Sequence, residues 1–325
     1  MVEISGLKLS FATDRGRLDL FTSLNLTVGE REILGVVGES GSGKSTLAYA
    51  MVRLLPANAA ILGGDIVFEG DSLLSRKEGE MARVRGKRIT MVFQDPGTSL
   101  NPVFRVREQM LRIIKGSLGL EGEAAHRHAT ELLKEVELAD VNQVMDSFPF
   151  ELSGGMQQRV MLAMALSSNP RLIIADEPTS AVDATIQMQI LRLLKKVKAE
   201  RKFSMILITH SIAVAREVCD RIAVMYAGEI VEEGEAKSLV SSPKHPYTQA
   251  LVKCIPQPRR PQEGKLPLPI VGGQVPDLTS APSGCRFHPR CPCVMEVCKR
   301  ERPGYYDADG SRALCFLFGN EGERQ

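Results

Sequence analysis

One octapeptide, Gly38-Glu39-Ser40-Gly41-Ser42-Gly43-Lys44-Ser45, restricts the fold of this chain more than any other stretch. It fits G-x-x-x-x-G-K-S/T, the P-loop that cradles nucleotide phosphates. Its glycines let successive backbone N–H groups turn inward toward phosphate oxygens. Lys44 can reach the β- and γ-phosphates, and the Ser45 hydroxyl can bind Mg²⁺. The apolar run Glu32–Val37 before it predicts a buried strand, and Ser45–Val52 after it predicts a helix opening at Ser45 and Thr46. Such a helix directs its N-terminus at the phosphates. Chance alone would produce the pattern in roughly one chain of this length in a hundred, so the remaining motifs have to decide.

Leu172-Ile173-Ile174-Ala175-Asp176-Glu177 is an apolar run closed by two carboxylates. It reads as a strand of a parallel sheet buried on both faces. Asp176 can hold Mg²⁺ through water, and Glu177 is placed to polarise an attacking water. Between the two motifs lies Leu152-Ser153-Gly154-Gly155-Met156-Gln157-Gln158-Arg159, a second anion-binding turn at the start of a helix, without a lysine.

In this order the motifs resemble those of the ATP-binding cassette (ABC) ATPases, with Ser153, Gly154, Gly155 and Gln157 in the signature motif. The resemblance spans nearly the whole chain. It implies a Q-loop glutamine at Gln94, a D-loop at Ser180-Ala181-Val182-Asp183, a switch histidine at His210 and an adenine-stacking aromatic at Phe11. Gln94-Asp95-Pro96-Gly97-Thr98-Ser99-Leu100-Asn101-Pro102, His245-Pro246-Tyr247-Thr248-Gln249-Ala250-Leu251 and Gly284-Cys285-Arg286-Phe287-His288-Pro289-Arg290-Cys291-Pro292 resemble the ATPase subunits of bacterial oligopeptide, dipeptide and nickel importers. Two positions depart from the family: Ser211, where Asp commonly follows the switch histidine, and Cys293, an additional tail cysteine.

The expected fold is α/β: a P-loop NTPase (RecA-like) core with an antiparallel β subdomain, an inserted helical subdomain at about 97–167 and a Pro/Cys-rich C-terminal extension. The nucleotide-binding domain is expected over 1–234 and the extension over 235–325. Strands are predicted at Gly6–Phe11, Phe21–Val28, Gly64–Gly70, Arg88–Phe93, Phe203–Ile208 and Arg221–Met225, with helical periodicity over Val103–Leu166. Pro256, Pro258, Pro261, Pro267, Pro269, Pro276 and Pro282 forbid long helices and central strands, so 235–283 reads as a linker wrapping the main domain.

Composition is that of an ordinary soluble globular protein, 43% hydrophobic and 25% charged over 325 residues. A net charge of +2 gives no electrostatic reason to expect nucleic acid as a partner. No apolar run is long enough to span a bilayer, and the N-terminus lacks the pattern of a signal peptide. The expected place is therefore the cytoplasm, and the resemblance to importer ATPases implies its membrane face, with other chains supplying the transport path.

Five of the seven cysteines fall in 285–315: Cys285, Cys291, Cys293, Cys298 and Cys315. In the cytoplasm disulfides are not expected. Cys291-x-Cys293 is too close for the usual paired zinc ligands. A four-thiolate iron–sulfur cluster, zinc and buried metal-free thiols all remain open. The resemblance implies Cys285, Cys291, Cys298 and Cys315 as ligands of a 4Fe–4S cluster, with Cys293 spare. Cys219 and Cys254 read as core cysteines.

The mechanism implied is phosphoryl transfer to water by positioning and charge neutralisation. Lys44 and the P-loop residues Gly38 to Thr46 hold the phosphates. Ser45, Gln94 and Asp176 serve Mg²⁺, Glu177 polarises water and His210 contacts the γ-phosphate. In the family the signature turn closes on the nucleotide of a facing subunit, so a second ATPase chain is expected, a different one in this branch. Two membrane permease subunits and an extracytoplasmic binding protein complete the expected assembly. The competing readings are a soluble ABC ATPase acting on nucleic acid or ribosomes and a redox or regulatory protein in which ATP only sets the state of the cluster.

Overall fold

The computed structural model describes residues 1–179, 182–255 and 271–319. Ser180 and Ala181 of the D-loop, and the prolines from Pro256 to Pro269, lie outside the described residues. The chain forms two compact units: one of Met1–Thr27, Leu34–Leu74 and Thr209–Gln325, the other of Val28–Ile33 and Ser75–Ile208.

The first unit begins with two long strands, β1 (Val2–Thr13) and β2 (Gly16–Val28). Alternation buries Val2 and Ile4, the period-2 pattern of a half-buried strand, and resumes with Leu7 and Leu9 where the register against β4 shifts between Ser5 and Lys8. β3 (Ile33–Val37) is buried throughout and leads through the P-loop into α1 (Lys44–Met51). β4 (Ala59–Phe68) pairs antiparallel with β1 and with the short β5 (Asp71–Ser72), giving the order β2-β1-β4-β5. The predicted strand Gly6–Phe11 is thus the middle of a longer one, whereas Gly64–Gly70 covers only the second half of β4 and overruns it into the turn at Glu69 and Gly70.

The second unit is mostly helical. After α2 (Glu78–Val84), β6 (Ile89–Val92) runs to the Q-loop. Then come α3 (Pro96–Ser99), α4 (Val106–Leu118), α5 (Gly122–Glu135), α6 (Val141–Asp146) and α7 (Gly154–Leu166). Met110 and Ile114 of α4 and Ala129, Leu132 and Leu133 of α5 are fully buried, the one-sided apolar stripe of packed amphipathic helices, whereas α7 is buried on most sides from Val160 to Leu166. β7 (Leu172–Asp176), α8 (Ala184–Arg201) and β8 (Ser204–Thr209) follow. β6, β7 and β8 are parallel neighbours, and the continuous burial of β7 and β8 is what a parallel sheet covered on both faces requires.

The chain then returns to the first unit through α9 (Ile212–Val218), β9 (Arg221–Tyr226) and β10 (Glu229–Glu235). β9 pairs parallel with β3 and antiparallel with β10. Next come α10 (Ala236–Ser241) and α11 (Pro246–Lys253), so the segment read as linker begins with two short helices. Pro246 starts α11 instead of breaking it, because a first-turn proline gives up an N–H that has no helical partner. Past α12 (Glu296–Arg300), the hairpin of β11 (Tyr305–Ala308) and β12 (Ser311–Leu314) pairs antiparallel with β10. The end of the tail therefore extends the sheet that carries the P-loop strand, in the order β11-β12-β10-β9-β3.

Candidate nucleotide site and cysteine pocket

The P-loop begins where β3 ends. A side chain at Gly38 would meet the Met225 carbonyl oxygen at 2.1 Å, so only glycine permits this crossing over β9. Gly43 takes φ 105° at the N-terminus of α1, a left-handed conformation that suits glycine. The loop is closed by Ser42 N–H donating to the Glu39 carbonyl (3.2 Å) and by Gly228 N–H donating to the Ser42 carbonyl (2.8 Å). Lys44 is buried, and its Nζ donates to the carbonyls of Gly38 (2.8 Å) and Glu39 (2.9 Å). The same unit carries His210, exposed at the end of β8, and Phe11, half-buried on β1 opposite Ala59. Ser211 N-caps α9, its Oγ accepting from Val214 N–H (3.3 Å). A hydroxyl here does the capping that an aspartate also does, so this departure from the family leaves the helix start intact.

The second unit holds the other motifs. Asp176 is buried at the end of β7. Glu177 has φ 45°, a strained conformation for a non-glycine residue, and its N–H donates to the Ile208 carbonyl (3.0 Å). The turn leaves its side chain half-buried, where Gln94 Nε2 donates to Glu177 Oε2 (3.3 Å). The Q-loop glutamine and the carboxylate thus meet across 83 residues of chain. Ser153 caps α7, accepting from Met156 N–H (3.4 Å), with Gly154 in the exposed first turn beside Gly155. Gln157 braces the turn by donating to the carbonyls of Pro149 (2.8 Å) and Leu152 (3.2 Å). Asp183 caps α8, accepting from the N–H groups of Thr185 and Ile186.

These geometries fit a family with known members. Residues 21–180 match the ABC transporter family profile, and residues 231–298 match that of the oligopeptide/dipeptide transporter C-terminal region. The oligopeptide transport ATP-binding protein OppD of Salmonella typhimurium is 42% identical over 316 residues, 97% of this chain and 93% of that protein. The chain is an ATPase of the ABC transporter family. The probable D,D-dipeptide transport ATP-binding protein DdpD of Escherichia coli is 41% identical over 92% of this chain and 90% of its own length. Among solved structures, the ABC cassette MJ0796, in a dimeric post-hydrolysis state bound to ADP and Pi, superimposes with a TM-score of 0.64 at 29% identity. It covers 73% of this chain and 99% of its own. Membership of the family brings ATP and Mg²⁺ as ligands and an α/β cassette as the fold.

In the tail of this ABC ATPase, Cys285, Cys291, Cys293, Cys298 and Cys315 line one small cavity together with His245 and His288. Cys298 packs with Val297 and Phe316 against Cys285 and Met295. Cys285 N–H donates to the Cys298 carbonyl (2.9 Å), tying two of the cysteines through backbone. Burial pushes the Cys285 thiol up to about 12 and the Cys315 thiol up to about 11. Among the described residues no three His, Cys, Asp or Glu side chains stand in an arrangement that would hold a single metal ion. Cys219 is core, packed over Gly35, whereas Cys254 is half-buried.

Residues of the importer-type motifs to which the sequence assigned no role complete this unit. Arg286 is fully buried, donating to the carbonyls of Leu20 (2.8 Å), Asp19 (3.0 Å) and Ala227. Arg290 grips Glu39, and Tyr247 contacts the same residue. Their signal in the sequence is membership of the two importer-type segments, residues 245–251 and 284–292. His245 is buried, its Nδ1 accepting from Tyr247 N–H (3.0 Å), and burial holds its pKa down to about 3. An unfolded histidine titrates near 6.5. Below that pH the unfolded chain binds a proton that the folded chain refuses, so stability falls as pH drops toward about 3. The loss from this residue is about 2 kcal/mol at pH 5. Thermal denaturation at pH 7.5 and pH 5 is expected to show that excess loss in the wild type relative to His245→Asn, which keeps a capping side chain. Equal losses in both proteins would remove His245 from this role.

Proposed function

We propose that this ATPase is the motor of an importer for peptides or related small solutes, working peripherally on the cytoplasmic face of the membrane. The observation that carries the reading is a peptide-transporter C-terminal region joined in one chain to an ABC transporter region. The relatives that support it are named oligopeptide and probable D,D-dipeptide transport ATP-binding proteins, and the similarity runs over at least 90% of their length. The proposed division is a nucleotide-binding domain over 1–234, its helical subdomain over about 97–167, and an extension over 235–325.

In this reading Gly38, Glu39, Ser40, Gly41, Ser42, Gly43, Lys44, Ser45 and Thr46 take the phosphates, with Phe11 stacked on adenine. Ser45, Gln94 and Asp176 serve Mg²⁺. Glu177 polarises the attacking water and His210 contacts the γ-phosphate. The Gln94–Glu177 hydrogen bond supports this assignment, because it ties the Q-loop to the hydrolytic carboxylate. Ser153, Gly154, Gly155, Gln157 and Asp183 face the nucleotide of a second, different ATPase subunit. ATP binding draws the pair together and hydrolysis releases it, biasing a two-state gate in two permease subunits. An extracytoplasmic binding protein delivers the solute. Exposed Val103 and Phe104, together with Phe150 stacked on Phe148, give the helical subdomain an apolar surface for a permease. Among the described residues no helix is long and apolar enough to cross a membrane.

For the tail we propose a 4Fe–4S cluster on Cys285, Cys291, Cys298 and Cys315. The observation behind the proposal is one cavity whose lining includes all four thiols, the number that such a cluster takes. When bound, such a cluster supplies a covalent cross-link between the turn at Cys285–Cys291, α12 and the end of β12. Iron and acid-labile sulfide in anaerobically purified protein are expected at about four each per chain. Zinc without sulfide, or neither, would contradict the cluster and leave the ATPase standing. The importer reading is tested by uptake of a radiolabelled tripeptide in cells whose only copy carries Lys44→Ala. Uptake is expected to fall to background, and transport at the wild-type rate would refute the role.

A further inference from the structure

We propose that Arg290 is a positioning residue for the nucleotide site: by gripping Glu39 it fixes the P-loop and neutralises a carboxylate that would otherwise repel the triphosphate. The cysteine-bearing tail thereby sets the affinity of the chain for ATP. The inference deepens the assignment of the P-loop as the phosphate site and rests on it.

Glu39 follows Gly38 in the first turn of the loop, and three of its groups are held. Its carboxylate receives both arms of the Arg290 guanidinium, Nη1 at 2.7 Å and Nη2 at 3.0 Å. Its N–H donates to the Tyr247 hydroxyl at 2.9 Å. Its carbonyl accepts from both Ser42 N–H (3.2 Å) and Lys44 Nζ (2.9 Å). The phosphate-binding lysine and the tail arginine therefore act on one residue, and whatever fixes Glu39 fixes the loop closed on it. A two-armed arginine–carboxylate pair restricts orientation as well as distance, which a single lysine does not.

Arg290 is a rigid holder. Its Nε donates to the Gly272 carbonyl (2.7 Å), its Nη2 to the Val271 carbonyl (3.1 Å) and its Nη1 to the Tyr226 hydroxyl (3.4 Å). Its side chain is 4% exposed, against 28% for Glu39. Phe287, from the same short turn, packs against both tyrosines, with ring centroids 5.1 Å from Tyr226 and 5.4 Å from Tyr247. One turn, running from Cys285 to Cys291, thus supplies the cation and the wedge that orient Glu39.

Charge gives the proposal a signature that a purely structural contact lacks. Without Arg290, Glu39 is an unpaired carboxylate in the loop that receives a polyanion, and like charges at close range oppose binding. Affinity for a non-hydrolysable ATP analogue with Mg²⁺, measured by calorimetry on the full chain, is expected to weaken about tenfold or more in Arg290→Ala. Arg290→Lys is expected to fall between that variant and the wild type. Adding Glu39→Gln to Arg290→Ala is expected to recover most of the loss, because the repelling charge is gone. Thermal melts establish which variants fold. If Arg290→Ala does not, Arg290→Lys compared with and without Glu39→Gln carries the same test. An unchanged affinity in a folded Arg290 variant, or losses that multiply instead of cancelling when Glu39→Gln is added, would overturn the proposal. Failure of the wild type to bind the analogue would instead overturn the P-loop assignment.

Discussion

Glu177→Gln is expected to bind ATP as the wild type does and to hydrolyse it about a thousandfold more slowly. Glu177 closes a fully buried strand, next to buried Asp176, in a left-handed turn held by its N–H to the Ile208 carbonyl. That turn presents the carboxylate to the side, where Gln94 Nε2 reaches it at 3.3 Å. The amide keeps the size and the hydrogen-bonding reach of the side chain. It cannot accept a proton from water, and that is the step proposed for the carboxylate. Phosphate release under saturating ATP measures the loss. Sedimentation with ATP is expected to show the variant retained in its paired form, since the reaction that parts the subunits is blocked. Turnover within about tenfold of the wild type would assign the proton to another group.

Lys44→Ala acts one step earlier. Its Nζ lies within 2.9 Å of two P-loop carbonyls, those of Gly38 and Glu39. Charge-assisted hydrogen bonds are worth about 1.5–3 kcal/mol each, so losing the contacts to two phosphates weakens ATP about a hundredfold or more. Calorimetry with Mg·ATP measures this directly. An affinity equal to the wild type would place the triphosphate elsewhere.

The parts of the site carried by contiguous residues were legible in the sequence. Gly38 to Ser45 announces a strand–loop–helix because the glycines and the lysine all act within one turn. Leu172 to Glu177 announces itself by an unbroken apolar run ended by acids, and the structure buries every residue of β7. The Cys-rich tail was legible as a cluster, and five cysteines do share one cavity.

Pairings between distant segments were not legible. Arg290 and Glu39 stand 251 residues apart, and an arginine in a short cysteine-flanked turn has no period that points to a P-loop. The same applies to β12, which adds to β10 across the whole tail: Ser311–Leu314 is four residues long and half polar, with no alternation long enough to be read as sheet. Proline density over 235–283 reads as a general veto on regular structure. Its effect is positional, since Pro246 at a helix start is compatible with α11. At Ser211 the sequence departs from the family, yet the structure keeps the cap, because a hydroxyl and a carboxylate satisfy the same orphan N–H.

If ATP hydrolysis by this chain drives solute import, the two must be coupled in the assembled transporter. The most direct measurement is the ATPase rate of the chain assembled in proteoliposomes with its permeases and partner ATPase, with and without peptide-loaded binding protein. A several-fold higher rate is expected with the loaded binding protein, and none of that increase when Glu177→Gln replaces the wild-type chain. A rate indifferent to the loaded binding protein would contradict the coupling.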